Sequence, residues 1–228
     1  MHQRWADLLF LHWPIDPAVL AARLPAGIHV DTFGGDGWIG VVPFFMQRVR
    51  PTGLPPLPWL SWFMELNVRT YVHDDFGNPG VWFFSLGCNQ PLAVEVARRF
   101  FHLPYEHAEM HCNRAHDDIQ YFCRRKSAEA TGASFQYKRP TETRLAEPGS
   151  LEWFLVERYL LFSANRAGRL FCGRVHHEPY QIAFGGCGEW STEPLRLDGF
   201  PTPSEPPASI LTAAPVEVKI FPLREFRR

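Results

Sequence analysis

The chain has 228 residues, 46% hydrophobic and 21% charged, which excludes a disordered or fibrous protein and suits one globular domain with a sizeable core. With 23 basic against 24 acidic side chains the net charge is −1, so no broad electrostatic footprint for nucleic acid or anionic lipid follows. Prolines number 21 and aromatics reach 14%, a pairing that favours short strands and stiff loops over long helices.

In chain order, the apolar run 8–13 (LLFLHW) predicts a strand. Asp16-Pro17 follows as an N-cap with proline at the first helical position, opening a helix over 17–24 that Leu24-Pro25-Ala26-Gly27 ends. Gly34-Gly35-Asp36-Gly37 is a turn, and 38–46 has strand composition. Residues 51–58 (PTGLPPLP) form a stiff loop whose Pro55 and Pro58 make a PxxP; a spacer is the stronger reading, an SH3-type ligand the weaker. Residues 65–72 and 81–86 predict a hairpin across the turn 73–80. Asn89-Gln90-Pro91 caps a helix over 91–101, with Leu92, Ala93, Val96, Ala97, Phe100 and Phe101 at helical spacing and Leu103-Pro104 as its stop. Strands follow at 119–125 and 133–138, then a short capped helix or strand at 151–157. A hairpin of 158–163 with 170–177, a proline-rich loop over 194–215 and a last strand at 216–221 complete the chain. Neither an internal repeat nor a separating linker occurs, so residues 1–228 read as a single domain. The fold class is mainly β (α+β): an antiparallel barrel or sandwich with two or three short helices.

Five scattered cysteines (Cys88, Cys112, Cys123, Cys172, Cys187) form no C-x-x-C pair, and no secretory signal is legible, so reduced thiols in the cytoplasm are expected. No stretch approaches the ~20 apolar residues of a membrane span. Ten histidines raise the question of a metal. His107 and His111 lie at i, i+4 with His102 and His116 flanking them, but no HExxH occurs and the segment lacks a helical cap. His176-His177 falls on a predicted strand, where the two rings face opposite sides. Surface histidines are the expectation, with no metal and no cofactor. Nucleophile-elbow, Walker A and dinucleotide motifs are absent, and the glycines at 185–188 have no following helix signal.

The strand 65–72 (ELNVRTYV) carries the most information. Leu66, Val68 and Val72 point one way, and Glu65, Asn67, Arg69 and Tyr71 the other. A half-buried strand explains this with the polar face in water. In a closed barrel, the polar face would instead look into the lumen and outline a small-molecule site. Neighbours on that face stand about 7 Å apart, so they would surround a ligand rather than saturate one another.

Several segments resemble known families. HW-x-x-D-P at 12–17, Pro43-Phe44, ELNVRTYV, FFSL, ARRFFHLPY, ERY at 157–159 and VHH at 175–177 are similar to the YqjF-like family of uncharacterised bacterial proteins, over nearly the whole chain. The opening from Leu9 to Pro25, Glu65, Gly80, the Asn89-x-Pro91 turn, Arg98 and Pro104 resemble, more remotely, the acetoacetate decarboxylase superfamily. The resemblance implies a cone-shaped antiparallel β-barrel with an internal pocket. In the decarboxylases a lysine after the equivalent helix forms a Schiff base with the keto acid, its pKa lowered by a cationic neighbour and apolar surroundings. Here Pro104 is followed by Tyr105-Glu106, and the three lysines (Lys126, Lys138, Lys219) stand elsewhere. By the same resemblance Glu65 matches a pocket glutamate within one residue, and Arg4 lies two positions from a pocket arginine.

Two functions carry equal weight. One is an enzyme of lyase or other proton-transfer type that uses Glu65 and Tyr105 as acid/base groups, without Schiff-base chemistry, and binds a small organic acid through Arg4, Asn67, Arg69 and Tyr71. The other is a non-catalytic binding protein with the same pocket. A third, weaker reading is an interaction module built on the proline-rich loops. Nucleic acid and membrane are not expected partners, and the oligomeric state stays open.

Overall fold

The computed structural model describes residues 1–126 and 131–225. The first part of the chain forms β1 (His2–Ala6), β2 (Leu8–Ile15), α1 (Pro17–Ala21), β3 (Ile28–Val30), β4 (Gly37–Arg50) and β5 (Phe63–Asp74). Next come β6 (Pro79–Cys88), α2 (Pro91–Phe101), β7 (Tyr105–Ala115), β8 (Asp118–Arg125), β9 (Ala133–Lys138) and β10 (Arg144–Leu145). The last part holds α3 (Leu151–Val156), β11 (Leu160–Ala164), β12 (Leu170–His177), β13 (Gln181–Phe184), β14 (Cys187–Glu189), α4 (Glu193–Leu197), β15 (Ser209–Ala213), β16 (Val216–Ile220) and β17 (Arg224–Glu225).

Local chemistry sets the helix ends. The Asp16 carboxylate accepts the Ala18 N–H, and Pro17 opens α1. Gln90 caps α2 by accepting the Leu92 N–H, and His102 ends it in the left-handed conformation (φ 50°). The 194–215 stretch, expected as loop, contains α4 and β15. Pro194 occupies the first turn of α4, where its missing N–H costs nothing, and β15 is held between β2 and β13. With α4 the described residues hold four helices rather than two or three.

Seven strands pair in a closed circuit: β1 with β4, β4 with β5, β5 with β6, β6 with β11, β11 with β12, β12 with β16, and β16 back to β1. All pairs in this circuit are antiparallel except β6–β11. That parallel contact needs Gly80, because a Cβ there would stand 2.7 Å from the Leu160 carbonyl. β7 adds a second parallel contact to β6 and leads an outer sheet of β7, β8, β9 and β14.

The outer sheet decides the fate of β5. Its Leu66 and Val68 pack with Leu9, Leu11 and Val41 against Tyr121, Phe135 and Tyr137 of the outer sheet. Its other face looks into the circuit, toward the cluster that holds Phe10, Phe44, Tyr71 and Leu86. Both faces of β5 are therefore covered, and no residue from Phe63 to Val72 reaches solvent appreciably. On β6 the register skips Phe84 between the pairs Val68↔Ser85 and Arg69↔Phe83. This bulge keeps both Phe83 and Leu86 on the inner face although they are three residues apart.

Candidate functional site

The circuit encloses a cavity of about 300 Å³. β5 supplies Glu65 and Arg69 to it, β1 supplies Gln3 and Trp5, and α2 lays Ala93, Ala97 and Phe101 along one side. Tyr105, at the start of β7, enters through the turn after α2.

At one pole the Tyr105 hydroxyl donates to Glu65 Oε2 at 2.6 Å, and both residues are buried. Burial raises the Glu65 carboxyl to about 7, against the opposing effect of the Tyr105 hydrogen bond. Tyr105 is pushed well above its ordinary value, first by burial and then by the Glu65 charge, so it stays a phenol and a donor. Cys88 pairs with Glu65 across the ladder, and burial raises its thiol to about 12. It is therefore no nucleophile at neutral pH.

At the other pole Arg69 Nη2 donates to the Leu155 carbonyl at 3.0 Å and to the Tyr71 hydroxyl at 3.3 Å. Its Nε has no hydrogen-bond partner, and no carboxylate pairs with it among the described residues. Arg158 nearby differs: it reaches Asp31 at 2.6 Å and the Phe154 carbonyl at 2.8 Å. Tyr71 accepts from Arg69 and shares a further hydrogen bond of 2.6 Å with His12 Nε2. His12 is fully buried, and burial together with Arg69 holds its pKa well below the ordinary value, so it is neutral.

The expected residues thus separate. Glu65, Tyr105 and Arg69 line one cavity. Tyr71 sits behind Arg69 and supports it. Asn67 is buried on the same face of β5, with Oδ1 unpartnered, but it does not line the cavity. Arg4 lies outside, against Gln47 and Glu217, because Gln3 and Trp5 take the inward positions of β1 and alternation sends Arg4 out. Lys126, Lys138 and Lys219 are all exposed, so no lysine lines the cavity. His107 and His111 fall on strand β7 rather than a helix, which puts their backbones about 13 Å apart. His176 is exposed and His177 buried, as strand alternation requires.

Sequence reasoning missed Arg158, Tyr180, Gln3 and His12. His12 carried a signal, since it shares the period-2 face of Phe10 inside an apolar run. Gln3 and Tyr180 carried none that spacing could expose.

Comparison with known proteins places this fold. A Sphingomonas wittichii RW1 acetoacetate decarboxylase-like enzyme superimposes with a TM-score of 0.66 at 14% identity, covering 99% of this chain and 92% of that one. The Legionella pneumophila acetoacetate decarboxylase gives 0.66 at 14%, over 100% and 88%. The enduracididine biosynthesis enzyme MppR, solved with the condensation product of pyruvate and imidazole 4-carboxaldehyde, gives 0.67 at 12%, over 98% and 88%. These likenesses show the acetoacetate decarboxylase-like fold. In sequence, the uncharacterized protein YqjF of Bacillus subtilis is 40% identical over 182 residues, 80% of this chain and 74% of that protein. Residues 2–217 match DUF2071, an uncharacterized conserved protein family, and the chain belongs to that family.

Proposed function

We propose that the chain is a proton-transfer enzyme acting on a small organic acid, with Arg69 holding the substrate carboxylate and Glu65 and Tyr105 moving the proton. The observation that carries this is the buried 2.6 Å Tyr105–Glu65 pair in the same cavity as a guanidinium without a carboxylate partner. A general base works best when its pKa lies near the operating pH, and Glu65 meets that condition at about 7. A buried cation without an anion is costly, and a bound carboxylate removes that cost. Glu65 and Arg69 are four residues apart on β5, about 13 Å between Cα atoms, so one acid can lie between them. Glu65 then takes a proton from the carbon beside a carbonyl. The electron pair moves onto the carbonyl oxygen; as Glu65 gains the proton it turns from acceptor to donor toward the Tyr105 oxygen, which frees the single Tyr105 O–H to donate to that substrate oxygen. No lysine takes part, and no imine forms.

The apolar walls between the two poles favour a second reading, in which the same cavity binds an acid without reaction. NMR in D2O separates the two readings. The enzyme is expected to exchange the protons next to the carbonyl of 2-oxobutyrate, and Glu65→Gln to slow that exchange at least a hundredfold. Saturable binding with no exchange above the buffer rate would leave a binding protein. No binding of any carboxylate would end both.

A further inference from the structure

The acid site accounts for only part of the cavity. A cavity of about 150 Å³ holds benzene, so one of about 300 Å³ holds roughly twelve non-hydrogen atoms, about twice the size of pyruvate. Beyond the two poles most of its walls are hydrocarbon, with Met46, Phe63, Phe83, Leu86 and Val175 among them, and Gln3, Arg50 and Arg158 are the polar exceptions. An anion with no tail would leave these walls without packing partners.

The direction of the remaining space is also defined. Leu92 and Val96 of α2 line the cavity yet are 46% and 42% exposed, so the cavity opens beside this helix. Leu60 and Pro51 line it from the facing loop, and Gln90 Nε2 ties that loop to the helix through the Trp59 carbonyl at 2.9 Å. The same loop and helix expose Leu54, Leu57, Trp59 and Phe100. A mostly apolar path therefore runs from the polar poles to a rim that is apolar except for Arg50. A water-soluble keto acid of three or four carbons needs neither.

Resting on the carboxylate reading above, we infer that the ligand is a monocarboxylic acid with a hydrocarbon or aryl tail of about eight to ten carbons, the tail lying along the inner face of α2 toward the opening beside loop 51–62.

Calorimetry with butyrate, hexanoate, octanoate and decanoate tests this, with 1-octanol as the tail without the charge. Affinity is expected to rise about three- to fourfold per methylene and to level off near decanoate, where the cavity is full. Octanol should bind at least tenfold more weakly than octanoate. Ala97→Phe, or the milder Ala93→Leu one turn earlier, should move the levelling point to a shorter acid. Affinities within twofold from butyrate to octanoate would overturn the tail class while leaving the carboxylate site standing. Octanol binding as tightly as octanoate would overturn the carboxylate site, and with it the tail assignment as stated. A levelling point unmoved in both variants would show that the tail does not pass α2.

Discussion

Two arginines on opposite sides of the same sheet, Arg69 buried and Arg125 with its side chain 10% exposed, have opposite surroundings. Arg125, on β8, meets Asp198 at 2.6 Å and the Ser85 hydroxyl, and Ser85 in turn donates to Asp198 at 2.6 Å. This cluster joins β6, the outer sheet and the end of α4, and its donors and acceptors answer one another. Arg69, on the inner side, has two neutral acceptors, an idle Nε and, among the described residues, no carboxylate. Burial alone therefore does not distinguish the two charges. What marks Arg69 is that it opens onto a cavity with its charge unanswered, while Arg125 is closed on itself and holds layers together.

The largest effect expected from this contrast is on the closed side. Asp198→Ala leaves the mostly covered Arg125 side chain without its carboxylate partner and should cost about 3 kcal/mol or more in urea unfolding. A loss under about 1 kcal/mol would mean that the outer cluster is not structural, and the contrast would lapse.

The next effect depends on pH and sits on the inner side. The folded pKa of Glu65, about 7, lies above its ordinary 4.5, so its contribution to stability is whole below pH 4.5 and is lost as pH rises through 7. Glu65→Gln removes the ionisation. Relative to the wild type it should gain up to about 3 kcal/mol between pH 5 and pH 8, read from denaturant midpoints at each pH. A pH-independent difference would place Glu65 in contact with water.

Gly40→Ala probes the support behind Arg69. A Cβ at Gly40 would lie 2.9 Å from the His12 ring and 3.6 Å from Arg69 Cγ. About 1–3 kcal/mol of destabilisation is expected, together with weaker carboxylate binding, since the His12–Tyr71–Arg69 chain must shift. Unchanged binding would show that this chain does not position Arg69.

The smallest change in stability is expected where the largest change in binding is. Arg69→Met removes a charge that no carboxylate answers, so the free protein should stay within about 1 kcal/mol of the wild type or gain slightly, while carboxylate affinity disappears. Substantial destabilisation would make Arg69 structural, like Arg125.

Much of this was legible in the sequence, and the gaps have physical causes. Strand β5 announced itself by alternation, and α2 by its cap, proline and spacing. The alternation of β5 could not say that both its faces are covered, because the sheet that covers the outer one begins with YEHAEMHCNRA, whose buried residues Tyr105, Ala108 and Met110 keep no simple period. The pattern of α2 showed an apolar face but not what it meets. Val94 is buried, Ala93 and Ala97 line a hollow, and Leu92, Val96 and Phe100 stand open. Arg4 shows the cost of a single register step, since one residue along β1 separates inside from outside. The pairing of Glu65 with Tyr105, forty positions apart, came from resemblance and not from spacing.

The pairing of β1 with β16 ties His2 to Lys219. During synthesis the first strand therefore waits for nearly the last one. At 5–20 residues per second that interval is about 10–45 s, during which the inner wall lacks its seam and the unpaired side of β1 is open to other chains. Low temperature or slow translation lengthens this exposure. The yield of soluble protein should then be governed by how long the nascent chain stays on the ribosome or with a chaperone, and much less by the stability of the finished fold.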